Sequence, residues 1–271
     1  MKIGIVGSQG IVGSACKFGF EKQGHKVYEH DKKLETDLHS LLDCPIVYIC
    51  VPTPSNHDGS CDTSIVKSVL DDLKYSKYSG IVVIKSTVPP GTCVAWRNTG
   101  QYFSFQDLVF CPEFLRERSA VTDFVELNNV LVIGTEEKYS QQVIRDCHGD
   151  LPKKTLCCTI TQAELIKYYN NCFGALRVSF ANEFFELCNS LNEDYVPVKR
   201  GLLQANNLPD QYFDVNENVR GWSSICWNKD LPAILSLAKE QGVDMPMVQA
   251  TVESNKKYKS TPFKDTREYY A

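Results

Sequence analysis

The chain has 271 residues, of which 43% are hydrophobic and 23% are charged, and its net charge is −4. This acidic balance excludes the basic surface typical of nucleic-acid-binding proteins, and no apolar run approaches the ~20 residues that cross a bilayer. The twelve cysteines show no metal-ligand spacing, so no metal site is predicted. The N-terminus enters a strand pattern directly and lacks the features of a signal peptide. We therefore expect free thiols in a reducing compartment, and a cytoplasmic protein of one or two domains.

The first predicted strand, residues 2–6, leads into a glycine-rich turn. Gly7, Gly10 and Gly13 follow the strand and open an amphipathic helix pattern. Glycines let a pyrophosphate approach the backbone, and the free amides of the helix N-terminus bind it. The spacing is GxxGxxG, whereas the usual dinucleotide fingerprint is GxGxxG. The turn alone is therefore also compatible with a tight strand–helix connection that binds no ligand.

An acidic residue, Asp31, ends the second predicted strand, residues 25–30. A carboxylate roughly 20 residues beyond the glycines can accept both ribose hydroxyls of an adenosine. Because it would repel a 2′-phosphate, NAD is predicted rather than NADP, although Lys32 and Lys33 weaken that argument. Asp31 taken alone is also compatible with a helix cap. The glycines and the aspartate together predict dinucleotide binding.

Four further strand patterns cover residues 45–51, 80–84, 108–111 and 129–134. Their alternation with helix patterns predicts an α/β fold with a doubly wound parallel sheet of the Rossmann type. Ligands of such sheets bind beyond the carboxyl ends of the strands. Three polar, rigid segments follow predicted strands: 52–54, 85–92 and 112–117. Their common position at one edge of the sheet favours a ligand site over the alternative that they are unrelated proline-rich loops.

A segment without proline, residues 161–191, predicts one long helix. Thr161 and Glu164 match a capping box at its start. The helix would run roughly 45 Å, longer than a small domain is wide, so it must bridge two packed units or lie against a second subunit. An apolar stripe recurs every three or four residues: Ile166, Tyr169, Phe173, Leu176, Phe180, Phe184, Leu187 and Leu191. A polar line follows another face, and from the helix alone it is expected to be solvated: Glu164, Lys167, Asn171 and Asn182.

The remaining chain predicts a helix over 196–205, a loop over 206–230, and helices over 232–241 and 246–257. Pro232 and Pro246 are predicted in first helical turns, where proline is tolerated. No internal repeat is present in the sequence.

Several motifs, in this order and spacing, resemble those of the UDP-glucose/GDP-mannose dehydrogenase family over residues 1–257. The blocks KSTVPPGT and PEFLRE are the most specific of them. The motifs are VPTP (51–54), IKSTVPPGT (84–92), CPEFLRE (111–117), SAVTDF (119–124), QAELIKYYNN (162–171), NE (182–183) and CxxKD (226–230).

The resemblance implies a two-step, NAD-dependent oxidation of a nucleotide-sugar C6 alcohol to a carboxylate, and it assigns seven catalytic residues. Cys226 would be the nucleophile, which carries a thiohemiacetal and then a thioester. Lys167 and Asn171 would stabilise the oxyanion. Asp230 and Thr87 would orient the hydrolytic water or take its proton. The family's two acids near the reacting carbon correspond to Glu113 and Glu117.

The resemblance also implies a domain plan and a cofactor site. It predicts an NAD-binding domain over 1–158, an all-helical dimerisation domain over 159–257 built on the long helix, and a tail over 258–271. A homodimer through that helix and a UDP-sugar substrate are expected. The residues expected to contact NAD are Gly7, Gly10, Ile11, Val12, Asp31, Val51, Pro52, Thr53, Ser86, Thr87, Glu117 and Lys229.

Four departures from the family leave alternatives open. The family's third domain, which grips the nucleotide of the substrate, is expected to be absent or supplied by another chain. The family loop GFGGSC reads GWSSIC at 221–226, the substrate arginine has no clear counterpart near 210–213, and the cofactor turn carries one extra residue. One alternative is the same chemistry on a smaller alcohol or aldehyde. Another is a non-catalytic NAD-binding module or partner subunit, in which Cys226 would be one inert cysteine among twelve.

Overall fold

The computed structural model describes residues 1–102, 104–127, 129–218 and 220–258. The chain divides into two compact units. Unit 1 comprises Met1–Asn56 and Cys61–Lys167, and unit 2 comprises His57–Ser60 and the chain from Tyr168 onward. Of the predicted tail, only Tyr258 lies among the described residues.

Unit 1 is built on a seven-stranded sheet with the order β2-β1-β3-β4-β5-β6-β7. Every neighbouring pair is parallel except β5 and β6, which pair antiparallel through Phe110 and Gly134. The predicted doubly wound Rossmann sheet is confirmed, with one antiparallel pair and a seventh strand that the sequence did not predict. The strands are β1 Lys2–Val6, β2 Lys26–His30, β3 Ile46–Ile49, β4 Ile81–Ile84, β5 Asp107–Phe110, β6 Leu131–Gly134 and β7 Thr155–Cys158.

The central strands are apolar at every position because both faces of the sheet are covered. All residues of β3 (IVYI) and β4 (IVVI) are buried, as expected of parallel strands packed between two layers. Separate hydrophobic clusters lie on the two faces; one contains Phe110 and Leu70, and the other contains Phe20 and Tyr48. The helices of unit 1 are α1 Ile11–Lys22, α2 Ser64–Tyr75, α3 Thr92–Asn98, α4 Ala120–Val125 and α5 Lys138–His148.

The long predicted helix is α6, Ile160–Ser190, and its start differs from the prediction. The reciprocal capping contacts join Thr159 and Gln162: Gln162 N donates to Thr159 Oγ1 at 3.2 Å, and Thr159 N donates to Gln162 Oε1 at 3.0 Å. The predicted box of Thr161 and Glu164 is therefore wrong by two residues. Glu164 instead accepts from the N–H groups of Gly91 at 2.6 Å and Cys93 at 2.9 Å, at the start of α3.

The polar face of α6 is buried and most of its apolar face is exposed, which is the reverse of what the sequence of the helix alone predicts. The polar line is buried, and the prediction that it is solvated is wrong: Glu164, Lys167, Asn171 and Asn182. Most of the apolar stripe is exposed: Tyr169, Phe173, Phe180, Phe184, Leu187 and Leu191. The polar side chains are buried because each finds a partner within its own unit, whereas the apolar stripe is not covered by the described residues.

Unit 2 contains α7 Tyr195–Asn206, α8 Ile225–Glu240 and α9 Pro246–Asn255. The predicted helix start at 232 is wrong, because α8 begins seven residues earlier. Ser224 caps α8: its hydroxyl accepts from Trp227 N at 3.0 Å. Pro232 therefore lies inside the helix, and Cys226 through Asp230 form its first turns rather than a loop. Pro246 occupies the first turn of α9, as predicted.

Candidate functional site

The glycine turn between β1 and α1 has the shape of a dinucleotide cradle. Gly7 has a φ of +81°, and a Cβ there would lie 2.5 Å from the carbonyl oxygen of Cys50. A Cβ on Gly13 would overlap the carbonyl of Gly7, so both positions require glycine. Gly10 caps α1, whose first amides, including those of Ile11 and Val12, have no partner within the helix. These features fit a pyrophosphate at the helix N-terminus.

Asp31 lies at the end of β2, beside this turn. Its two carboxylate oxygens accept from the backbone N–H groups of Gln9 and Lys33, each at 2.9 Å. Gln9 belongs to the lengthened part of the glycine turn, and its side chain also donates to Glu29 at 3.0 Å. The extra residue therefore ties the turn to the end of β2, and Asp31 caps a turn rather than a helix.

The segments after β3 and β4 are linked at the carboxyl edge of the sheet. Ser86 Oγ donates to the carbonyl of Val51 at 2.7 Å. Thr53 and Thr87 are buried close to the same strand ends, whereas Pro52 is exposed. Ser86 thus fixes the spacing between two of the three segments that the sequence assigned to the cofactor.

A buried ion pair joins the segment after β5 to α6. Lys167 Nζ lies 2.7 Å from Glu113 Oε1 and donates to the carbonyl of Glu113 at 2.7 Å. Leu115 N donates to the other carboxylate oxygen at 2.6 Å. Burial raises the pKa of Glu113, but the charge and hydrogen bond of Lys167 lower it by a larger amount. The net pKa is therefore below its ordinary value. Glu113 is therefore a carboxylate at neutral pH.

The rest of this segment is held by a contact that the sequence analysis missed. Arg116 makes a two-point contact with the buried Asp123, with Nε at 3.0 Å and Nη2 at 2.6 Å. The matching signal is an arginine of PEFLRE followed seven residues later by the aspartate of SAVTDF. Glu117 begins a short 3-10 helix directly after Arg116 and is half-buried. The Arg116–Asp123 pair therefore fixes the backbone directly before Glu117, the first residue of the 3-10 helix.

In unit 2, three predicted residues form a connected group. Asn171 Nδ2 donates to Asp230 Oδ2 at 2.7 Å, and Lys229 Nζ lies 2.6 Å from Asp230 Oδ1. Asp230 and Asn171 are buried. Lys229, assigned from the resemblance to the cofactor, therefore contacts the neighbouring carboxylate. Asn171 is one helical turn beyond Lys167 along α6.

Cys226 is the second residue of α8 and is half-exposed. The partial positive charge of a helix N-terminus stabilises an anion at this position. The loop before it carries Ser223 and Ser224 where the family has glycines. From the sequence, either a strained backbone at these serines or a different path of the loop was possible. Neither Ser223 nor Ser224 is among the described residues with positive φ, while Gly221 has a φ of +65°. The serines are therefore unstrained, and Ser224 supplies the helix cap.

Two further observations concern other kinds of site. Within the described ranges, no group of three or more His, Cys, Asp or Glu side chains is placed to hold a metal ion. None of the helices described here combines the length and the apolar character needed to cross a membrane.

Two family models match the chain. Residues 28–151 match the UDP-glucose/GDP-mannose dehydrogenase family, NAD binding domain, and residues 161–257 match the central domain of the same family. The UDP-glucose 6-dehydrogenase of Rickettsia bellii is 31% identical over 247 residues, which cover 87% of this chain and 55% of that protein. The UDP-glucose 6-dehydrogenase TuaD of Bacillus subtilis is 31% identical over 219 residues, which cover 78% and 46%. The chain thus spans about half the length of the curated relatives it matches.

Solved structures show the same fold. A UDP-glucose dehydrogenase from Pyrobaculum islandicum has a TM-score of 0.85 at 26% identity, with 94% of this chain and 68% of that chain covered. The 3-hydroxyisobutyrate dehydrogenase of Mycobacterium tuberculosis has a TM-score of 0.76 at 14% identity, with 94% and 92% covered. At that identity, the second likeness shows the fold alone.

Proposed function

Because the chain belongs to the UDP-glucose/GDP-mannose dehydrogenase family, we propose that it oxidises the C6 alcohol of a nucleotide sugar to a carboxylate with NAD. The observation that carries the proposal is the buried polar line of α6. Lys167 contacts the carboxylate of Glu113 within unit 1, and Asn171 contacts that of Asp230 within unit 2. Burying charged groups is costly, and a site that stabilises developing charge uses donors held in place before the reaction.

The cofactor would be held by unit 1. Its pyrophosphate would lie on Gly7, Gly10 and the first amides of α1, and its adenosine ribose on Asp31. The segments after β3 and β4 would line the rest of the cofactor site. NAD, when bound, supplies the hydride acceptor for both oxidation steps. Residues of the chain would supply the nucleophile, stabilise the oxyanion and orient the hydrolytic water.

Cys226 would supply the nucleophile. The thiolate attacks the carbonyl carbon of the sugar aldehyde, forming a C–S bond, and the carbonyl oxygen becomes the oxyanion of a thiohemiacetal. Loss of hydride from that carbon gives a thioester. Water then displaces the sulfur, releasing the carboxylate and restoring the thiol. Asp230 and Thr87 would orient that water, and the Asp230 carboxylate would accept its proton.

Lys167 and Asn171 would stabilise the oxyanion in this proposal. An ammonium has three protons to donate, and two of those of Lys167 are directed to the carboxylate and carbonyl of Glu113. Holding a donor rigidly before the charge develops contributes more than a mobile donor does, because no reorganisation accompanies the reaction. Glu113 and Glu117 would act near the reacting carbon.

The exposed stripe on α6 supports a homodimer. Phe173, Phe180 and Phe184 lie along one face of the helix and are 42% to 50% exposed. A contiguous apolar face of this kind marks an interaction surface. A second copy presenting the same face would cover both stripes by one two-fold contact.

The experiment is to incubate the protein with NAD and, in turn, UDP-glucose, UDP-N-acetylmannosamine and GDP-mannose, and to count NADH per sugar consumed. The proposal predicts two NADH per sugar with at least one of them. One NADH per sugar indicates that the reaction stops at the aldehyde. No NADH with any sugar contradicts the proposal, and heat stabilisation by NAD alone would then indicate a binding module.

A further inference from the structure

The loop before Cys226 is attached to α6 through one guanidinium group. Arg220 Nε donates to Asn182 Oδ1 at 2.7 Å, and Arg220 Nη2 donates to Glu186 Oε1 at 2.8 Å. The backbone N–H of Gly221 donates to the same Asn182 oxygen at 3.3 Å. Asn182 is completely buried. One amide oxygen on α6 therefore binds two successive residues of the loop.

The groups on both sides of this contact are themselves held in place. Asn182 Nδ2 donates to the carbonyl of Val178 at 2.8 Å, which fixes the orientation of the amide. The guanidinium carbon of Arg220 lies 4.9 Å from the ring centre of Phe185 and 4.7 Å from that of Tyr258. A guanidinium between two ring faces is favourable and keeps its plane fixed. Its hydrogen-bonding edge is thereby directed at α6.

The next residue of the loop, Trp222, is attached both to α9 and to α6. Trp222 N donates to Asn255 Oδ1 at 2.8 Å, and Asn255 Nδ2 donates back to the Trp222 carbonyl at 2.8 Å. The indole N–H of Trp222 donates to Ser179 Oγ at 3.1 Å. Gly221 has a φ of +65°, and a Cβ there would lie 2.6 Å from Asn255 Oδ1. Residues 220–222 are therefore held between α6 and α9 along a single path.

This path determines where α8 begins. Ser223 alone separates the attached residues from the helix cap, Ser224. Asn228 on α8 donates back to the Ser223 carbonyl at 3.3 Å, so the intervening residue is tied down as well. Cys226 follows the cap by two residues. A shift of the loop would therefore move the thiol with it.

We infer that Arg220 and Asn182 are positioning residues that fix the loop from which Cys226 enters α8. They touch neither substrate nor cofactor in the function proposed above, and they act through the placement of the thiol. The inference rests on that proposed function for its effect on turnover. Its effect on the thiol itself is measurable without any substrate.

The test compares four variants of the full chain. Arg220→Met keeps an unbranched stem between the two rings but removes the donors, and Asn182→Leu removes the acceptor. Asn182→Asp keeps an acceptor for Arg220 and Gly221. Lys256→Met removes an exposed ion pair elsewhere in unit 2 and is the matched control. Iodoacetamide alkylation is followed on the peptide that contains Cys226, alongside kcat and KM for NAD with the sugar that is turned over.

We expect Arg220→Met and Asn182→Leu to speed alkylation of Cys226 by about tenfold, because the freed loop opens locally. Their kcat should fall by about tenfold or more while KM for NAD stays within about twofold, since a misplaced thiol affects the reaction and not the cofactor. Lys256→Met should match the wild type in both readouts. Asn182→Asp should stay within about threefold of it, because it keeps the acceptor for Arg220 and Gly221 and loses only the bond to the Val178 carbonyl.

The inference is overturned if Arg220→Met and Asn182→Leu alkylate Cys226 at the wild-type rate. If the wild type shows no turnover but the alkylation rates separate as expected, the proposed function fails and the positioning role stands. Should Arg220→Met fail to fold, the comparison of Asn182→Asp with Asn182→Leu decides. Equal alkylation rates in those two variants would then contradict the inference.

Discussion

The ammonium of Lys167 lies 2.7 Å from a carboxylate oxygen of Glu113, and neither side chain is more than 8% exposed. Both residues belong to unit 1. Taking two charges out of water is costly, and their attraction offsets that cost only while both are present. Loss of either partner therefore destabilises unit 1 and also alters the charge of the proposed site.

Replacing one partner should expose this dependence. We expect Lys167→Met to lower the free energy of unfolding by about 3 kcal/mol at pH 7.5, because it leaves the Glu113 carboxylate buried without a counter-ion. Adding Glu113→Gln to that variant should recover a large part of the loss. Urea unfolding of the wild type, both single variants and the double variant measures the coupling. The exposed pair of Lys256 and Glu253 is the control, and Lys256→Met should cost less than about 1 kcal/mol. Strictly additive losses for Lys167 and Glu113 would contradict this account.

His148 should make unit 1 sensitive to acid. Burial, together with the charge of Lys85, lowers the pKa of its imidazole from an ordinary value of 6.5 to about 3. The unfolded chain therefore binds a proton more readily than the folded chain between these values, so stability falls as the pH falls below 6.5. From pH 7.5 to 5.5 the loss from this group is about 1.4 kcal/mol.

The measurement is the free energy of unfolding at both pH values for the wild type, His148→Leu and His57→Gln. His148→Leu should lose about 1.4 kcal/mol less than the wild type over this interval. His57 is exposed, and its variant should follow the wild type. An equal pH dependence in the wild type and His148→Leu would show that His148 is not the group responsible.

Much of unit 1 was predictable because its strands are short, apolar and bounded by glycine and proline. The alternation of β1 through β6 with helices was sufficient for the Rossmann sheet. β7 was missed because half of its sequence, TLCC, is exposed, so it lacks the fully buried apolar pattern of β3 and β4. The start of α6 was misplaced because two capping patterns, Thr159 with Gln162 and Thr161 with Glu164, lie two residues apart and fit equally well.

The motifs predicted which residues belong to the site, but not their burial or their partners. That Lys167 and Asn171 share a face followed from helix geometry, but their burial did not, since their partners, Glu113 and Asp230, lie 54 and 59 residues away in the chain. The place of Cys226 in a helix was hidden by Pro232, which a sequence argument puts in a first turn. The hydroxyl of Ser224 was the signal for the true start.

Asp31 should determine the affinity for NAD. We expect Asp31→Asn to raise the Kd for NAD by about tenfold, because an amide oxygen is a weaker acceptor for ribose hydroxyls than a carboxylate. Isothermal titration with NAD and with NADP measures both Kd values. In Asp31→Asn the ratio of the Kd for NADP to the Kd for NAD should be smaller than in the wild type. Asp37→Asn is the control, since Asp37 accepts from His39 at the start of a 3-10 helix after β2. Equal Kd values for the wild type and Asp31→Asn would place the ribose elsewhere.

The stripe on α6 should determine the oligomeric state. Phe184→Glu places a charge in the middle of the exposed apolar face, and burying it in a two-fold contact would leave it unpaired. We expect sedimentation to give a dimer for the wild type and a monomer for Phe184→Glu. Tyr75 on α2 is also exposed, and Tyr75→Glu should remain dimeric. A wild type that sediments as a monomer would contradict the homodimer.

The claim on which the account depends most is that Cys226 carries the sugar carbon through a covalent step. The direct measurement is mass analysis of the peptide that contains Cys226 after acid quenching during turnover with NAD and UDP-glucose. The account predicts that this peptide gains the mass of the acyl sugar nucleotide, and that Cys226→Ser forms neither the adduct nor the carboxylate product. An unmodified peptide at every time point, together with wild-type product formation by Cys226→Ser, would contradict it.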